Sequence, residues 1–242
     1  MNTPLRVFIG YDSREPCAYH VLSHSILRQA SGPVSIAPLA LTQLQDVYTR
    51  RRGPLESTEF SLSRFLVPFL SGFVGHSVFM DCDMLCLTDI WKVWDEIYPV
   101  RSFAAMSRTS PEEAVLVCKH DYIPRETVKM DGMAQTQYPR KNWSSFIVFN
   151  NERCRVLMPD YVNTASGLDL HRFNWLREDR IGSLPLEWNT LVGEDNQPKT
   201  PKFLHYTNGG PWFPKYRDCE HADLWLREYR LMQQPEPQRK LG

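Results

Sequence analysis

The sequence predicts a single α/β domain in which a central sheet is flanked by helices. Three observations predict it. An apolar run, Leu5-Arg6-Val7-Phe8-Ile9-Gly10-Tyr11, has the composition of a strand buried on both faces. A helical pattern and a second strand follow it at once, which makes a β-α-β opening. A third apolar run, Val78-Phe79-Met80, ends in Asp81-Cys82-Asp83 and is followed by the amphipathic segment Asp89–Trp94. The chain of 242 residues is long enough for one large domain with a substantial core.

The elements follow in order. After the first strand, Asp12-Ser13-Arg14-Glu15-Pro16 reads as a helix start, with Pro16 tolerated in the first turn. Ala18, Val21, Leu22, Ile26 and Leu27 supply the apolar face through Arg28, and Gly32-Pro33 breaks the helix. Val34–Leu39 is the second strand. Thr58–Leu70 reads as a helix with Phe65, Leu66 and Phe69 inward, kinked or shortened by Pro68. Ser102–Met106, Ala114–Cys118 and Phe146–Phe149 are further strands. Asp121–Asn142 is polar, contains Pro124, Gly132 and Pro139, and reads as a long loop and an acceptor region or lid. Leu168–Leu176, Ile181–Leu184 and Phe203–Tyr206 continue the α/β alternation, and Ala222–Met232 is a terminal helix. The domain is assigned to residues 1–232, and residues 233–242, with Pro235 and Pro237, to a disordered tail.

Composition excludes several classes. Net charge is zero, and no Lys/Arg-rich run argues for a nucleic-acid partner. Arg50-Arg51-Arg52 reads as a solvated loop. Neither a signal peptide nor a membrane span is visible, although the helix around Trp225, Leu226, Tyr229 and Arg230 leaves peripheral membrane contact open. Six scattered cysteines form no CxxC pair and no compact disulfide framework, so a cytoplasmic location is expected. Walker-type, GxGxxG and GxSxG motifs are absent.

The chemistry concentrates in a few places. On an extended backbone Asp81 and Asp83 share a face while Cys82 points away. Adjacent carboxylates repel unless a cation sits between them, and a hard divalent cation with a phosphate is the common reason to build such a pair. His205 leaves the short run Lys202-Phe203-Leu204 and enters a Gly209-Gly210-Pro211-Trp212 loop. Neutral imidazole completes sites for metals such as Mn²⁺, and glycines let backbone N–H groups approach phosphate oxygens. Asp12 follows strand one, where a carboxylate can meet a base or ribose, and Arg64 offers a planar fork for phosphate or base edges. His20 and His24 stand four apart without a third ligand and read as helix surface and packing.

Together these residues resemble the GT-A glycosyltransferases, most closely glycosyltransferase family 8, as a divergent branch. The anchors are Val7–Asp12, Ser63-Arg64-Phe65, Val78–Leu85 with Val93-Trp94-Asp95, Ser144–Asn150 and His205–Trp212. The resemblance implies a Rossmann-like GT-A domain with a mixed, mostly parallel central sheet. It also implies retaining, hexosyl-type transfer from a nucleotide sugar, above all a UDP-sugar, to a saccharide or other acceptor. Mn²⁺ or Mg²⁺ would be held by Asp81, Asp83 and His205. Tyr11, Asp12 and Arg64 would contact the nucleotide, and Gly209 and Gly210 the phosphates. Where the chain departs from the family, a hydroxyl of Ser144 or Ser145 would serve the donor sugar, and Lys215 would stand in for the Lys that the late loop lacks just before Pro-Trp. Asp169 and Glu187 are the carboxylates expected near the reacting sugar, as nucleophile candidates beside a front-face mechanism that needs none. The chain departs from the family at Trp143-Ser144-Ser145, where the family has Asn-Ala-Gly, and at His171, where it has an acidic residue. Two other functions compete: a sugar-1-phosphate nucleotidyltransferase, disfavoured by the glycine-free turn after Tyr11, and a non-catalytic nucleotide- or carbohydrate-binding module.

Overall fold

The computed structural model describes residues 3–53, 56–98, 112–121, 128–129, 133–134, 140–194 and 197–234. The expected strand Ser102–Met106 and the tail from residue 235 lie outside the described residues. A six-stranded sheet runs in the order β2-β1-β3-β8-β5-β9. Its strands are β1 (Leu5–Gly10), β2 (Val34–Leu39), β3 (His76–Met80), β5 (Val115–Cys118), β8 (Phe146–Asn150) and β9 (Ile181–Leu184). The β1–β2, β1–β3 and β5–β9 pairings are parallel, and β8 alone runs antiparallel to its neighbours β3 and β5. The sheet is therefore mixed and mostly parallel. A second sheet, in the order β10-β11-β4, joins Thr190–Leu191, Phe203–His205 and Met84–Cys86. Within the segment read as a long loop, β6 (Val128–Lys129) pairs antiparallel with β7 (Met133–Ala134).

Strand direction places the site. β1 and β3 end side by side, with Ile9 opposite Met80. Because β8 is reversed, its amino end lies at the same edge, with Phe146 opposite Met80. β5 and β9 finish there as well, with Cys118 opposite Leu184. The turns after Gly10, Met80 and Cys118, and the turn before Phe146, thus meet at one edge, where open α/β sheets bind ligands.

Helix α1 (Pro16–Gln29) buries Ala18, Val21, Leu22 and Ile26, as its apolar spacing requires, but Leu27 is 58% exposed. The helix expected over Thr58–Leu70 is instead a 3₁₀ turn, Ser63–Leu66, running into the four-residue α2 (Val67–Leu70). Pro68 sits in the first turn of α2, where its missing N–H costs nothing, and Gly72 at φ 64° ends it. Phe65 and Leu66 are buried, whereas Phe69 is half-buried edge-on to Phe73. Arg51 and Arg52 are exposed as a solvated loop requires, but Arg50 is half-buried and donates to the carbonyls of Val162 and Ala165 at the end of α4 (Pro159–Thr164).

Helix α6 (Ala222–Met232) packs on α1 rather than standing free. Trp225 is buried and stacks on Tyr229 at 5.4 Å, while Leu226 is 37% exposed. Among the described residues no helix is long and apolar enough to cross a membrane. Buried Glu228 accepts from Arg28 Nη2 at 2.7 Å and pairs with His24 Nδ1 at 2.7 Å, which fixes α6 to α1. Glu228→Ala is expected to lower the unfolding free energy by about 1–3 kcal/mol. That is less than a fully enclosed pair would cost, because Arg28, 37% exposed, can turn to water. Urea denaturation checks this, and an unchanged midpoint would contradict it.

His76 packs edge-on to Trp94 at 5.5 Å and Tyr98 at 5.8 Å. Burial holds its pKa below the ordinary 6.5. The unfolded chain therefore binds a proton that the folded chain refuses, and stability falls as pH drops below 6.5. His76→Phe keeps the ring packing and is expected to flatten that fall below pH 6.5, as measured by thermal melts on the acid side of that pH.

Candidate active site

The chain leaves the large sheet at Met80 and joins the small one at Met84. Asp81 to Asp83 form the turn between them, not part of a continuous extended strand, because β3 pairs with β1 and β8 whereas β4 pairs with β11. Asp81 N donates to Ser145 O at 2.9 Å, which carries the β3–β8 ladder one step further. Met84 lies opposite His205, and Tyr206 N donates to Asp83 O at 2.9 Å. This pairing sets His205 against Asp83.

Ligand atoms of Asp81, Asp83 and His205 all lie within 4.8 Å of one another. His205 Nε2 is 3.3 Å from Asp83 Oδ1, and both side chains are buried. Asn189 Oδ1 lies 2.9 Å from His205 Nδ1. Asp81 Oδ1 accepts from Arg64 Nη1 at 2.8 Å, and the same nitrogen reaches Ser144 O at 2.7 Å. The Arg64 guanidinium lies over the rings of Phe79 at 4.9 Å and Phe60 at 5.3 Å, and its Nε donates to Ser61 O. Two carboxylates and one imidazole in this arrangement are a donor set that could hold a divalent metal ion.

The other expected residues surround this group in different ways. Asp12 is fully buried and accepts from Arg14 N, Nε and Nη2 and from Glu59 N. Burial acts to raise its pKa, but those hydrogen bonds win and hold it below the usual carboxylate range. Tyr11 is half-buried, edge-on to Tyr19 at 5.5 Å. Ser144 Oγ lies 2.7 Å from His171 Nδ1, and Ser145 Oγ donates to Asn142 O at 2.7 Å. Gly209, at φ 125°, and Gly210 are glycine by necessity: a Cβ would meet the Tyr216 ring at 2.6 Å and the Trp212 ring at 2.0 Å. Lys215 is exposed, its Nζ 5.1 Å from the centre of the Tyr216 ring. Asp169 lies in α5 (Gly167–His171), where its two oxygens accept from Ser166 Oγ and Asn174 Nδ2. These bonds lower its pKa and commit it to the helix start. Glu187 sits on the 3₁₀ turn Leu186–Asn189, two residues before Asn189.

Two further residues belong to the site. Glu15, 1% exposed, accepts from Trp212 Nε1 at 3.1 Å and faces Cys82 Sγ at 3.6 Å, tying the glycine loop to the start of α1. Burial, then the charges of Asp83 and Asp12, push its carboxyl well above the ordinary range. In sequence it looks like a solvated first-turn acid. His120, just beyond β5, is lowered to about 4 by burial and then by His205. No local pattern distinguishes it.

No protein-family model matches the chain. Over 234 residues the chain is 48% identical to Protein CDI of Arabidopsis thaliana, covering 93% of this chain and 86% of that protein. Among solved structures it resembles the bifunctional glycosyltransferase WbbM in its apo form, with a TM-score of 0.62 and 18% identity. It resembles the apo glycosyltransferase GlyE of Streptococcus pneumoniae TIGR4, with a TM-score of 0.56 and 14% identity. The galactosyltransferase LgtC, solved with donor and acceptor sugar analogs, gives a TM-score of 0.57 and 10% identity over 96% of this chain and 98% of LgtC. The matches cover 95% of this chain in both WbbM and GlyE, but only 50% of the WbbM chain and 62% of the GlyE chain. At these identities the solved structures speak for the fold, and the 48% identity speaks for kinship. The chain belongs to the family of Protein CDI and carries the fold of the GT-A glycosyltransferases.

Proposed function

We propose that the chain is a metal-dependent, retaining glycosyltransferase, akin to family 8, that moves a hexosyl group from a UDP-sugar to a saccharide or other acceptor. The observation that carries this reading is the convergence of Asp81, Asp83 and His205 at the carboxyl edge of the sheet. Kinship in fold with LgtC, whose structure holds donor and acceptor sugar analogs, supports it.

Asp81, Asp83 and His205 would hold Mn²⁺ or Mg²⁺, which neutralises charge on the departing diphosphate. Arg64 fixes Asp81 through a buried ion pair and is itself held against the rings of Phe60 and Phe79. Backbone N–H groups around Gly209 and Gly210, with Lys215, take the phosphates. Tyr11 offers its half-buried ring to the base, and Asp12 holds the turn that carries it. Ser144 and His171, joined by their hydrogen bond, face the donor sugar where an acidic residue would otherwise serve. Asp169 is engaged by Ser166 and Asn174, which leaves Glu187 as the carboxylate near the reacting sugar. We favour attack from the face the diphosphate leaves. The acceptor oxygen bonds to the anomeric carbon, the carbon–phosphate-oxygen bond breaks, and that oxygen takes the acceptor's proton.

A panel of nucleotide sugars with Mn²⁺, followed by NMR, tests the reading. Metal-dependent release of UDP with retained anomeric configuration is expected. Pyrophosphate from UTP and a sugar 1-phosphate would establish a nucleotidyltransferase instead. Metal-dependent UDP binding without turnover of any donor would establish a binding module.

A further inference from the structure

We propose that Asn189 is a positioning residue that locks the His205 ring with Nδ1 as donor, so that the Nε2 lone pair faces Asp83. The orientation of the Asn189 amide follows from its partners. Its Nδ2 lies 3.2 Å from Asn142 O and 2.9 Å from Ser145 Oγ. A backbone carbonyl only accepts, so the nitrogen must be on that side. Ser145 has already used its hydroxyl proton on Asn142 O, and therefore accepts from Asn189. Asn189 Oδ1 is left to face His205 Nδ1 at 2.9 Å, and an amide oxygen only accepts. The proton of the neutral imidazole must then lie on Nδ1, and Nε2 presents its lone pair 3.3 Å from Asp83 Oδ1.

The device is well braced. Asn189 is fully buried and ends the 3₁₀ turn that leads into β10, itself paired with the strand of His205. Asn142, at φ 62°, opens the short turn Trp143–Ser145. That turn supports both arms of the site. Ser145 O receives Asp81 N, Ser144 O receives the Arg64 that holds Asp81, and Ser145 Oγ receives Asn189. Without Asn189 the ring would be free to place its proton on Nε2 and donate to Asp83, a hydrogen bond that a cation must break before it binds.

The inference rests on the metal-site reading above, but its first test needs no metal. In the metal-free protein, ¹⁵N NMR of the neutral His205 ring is expected to show the Nδ1–H form. Asn189→Leu is expected to shift it to Nε2–H, with wild-type circular dichroism, and to weaken Mn²⁺ binding, followed by EPR without nucleotide, about 10–100-fold. Asn189→Asp keeps an acceptor at Oδ1 and is expected to keep the Nδ1–H form, which preserves the test if the leucine variant does not fold. A wild-type ring in the Nε2–H form, or an aspartate variant that adopts it, would overturn the proposal. So would a folded leucine variant with unchanged tautomer and Mn²⁺ affinity. Wild-type protein that shows the Nδ1–H form yet binds no Mn²⁺ overturns the metal-site reading alone and leaves the role of Asn189 standing.

Discussion

Asp83→Ala is expected to lower metal-dependent release of UDP from the donor by at least about 10³-fold, the equivalent of the several kcal/mol that a bound cation contributes to a transition state. The backbone of Asp83 is held independently of its side chain, since its carbonyl accepts Tyr206 N and the next residue pairs with His205. The fold should therefore survive, and circular dichroism should be unchanged. Asp81→Ala makes a poorer test. It strands the Arg64 guanidinium, 5% exposed, between Phe60 and Phe79, so lost activity would be mixed with lost stability. Wild-type turnover in Asp83→Ala would remove the carboxylate pair from the chemistry.

Trp188→Ala is expected to cost about 3–5 kcal/mol of stability, the range for truncating a buried aromatic. Trp188 is fully enclosed. It stacks on Phe203 at 5.9 Å, packs on Phe146 at 5.8 Å, and donates from Nε1 to Glu96 at 3.0 Å. Lys202 lies 4.6 Å from the ring centre and pairs with Glu96 at 2.9 Å, closing the edge. The residue thus joins β8, β11 and α3 (Val93–Ile97) directly behind Asn189. Trp188→Phe keeps the ring contacts and loses the N–H bond, for an expected cost of about 1 kcal/mol. Urea denaturation of both variants checks the ordering. A loss below about 1 kcal/mol for the alanine variant would show that neighbouring rings close the cavity.

Much of the fold was legible because its elements carry strong local patterns. β1, β2, β5 and β8 are short, largely apolar runs, and α6 runs over the residues its periodicity marks. Where the pattern misled, a physical cause is visible. Thr58–Leu70 has helical spacing, but Pro68 starts a new turn instead of bending an old one. Leu27 lies at the margin of its helix face and is left in water. The Asp-x-Asp could be seen in sequence, yet not the turn that presents it, because that turn depends on β4 pairing with β11, a strand far along the chain. The same limit applies to the contacts around Asp81, Asp83 and His205. Arg64 with Asp81, Glu15 with Trp212 and Asn189 with His205 each join residues that only the folded sheet edge brings together. Their types were visible as an arginine, a first-turn acid and a loop asparagine, but their partners were not.

Calorimetric titration of UDP into the wild-type protein, with and without Mn²⁺, tests the central claim most directly. Binding that appears only with Mn²⁺, and is lost in Asp83→Ala, is the predicted result, and it would place nucleotide and cation together at the Asp81, Asp83 and His205 group. Equal binding with and without the metal, or none in either case, would contradict the account.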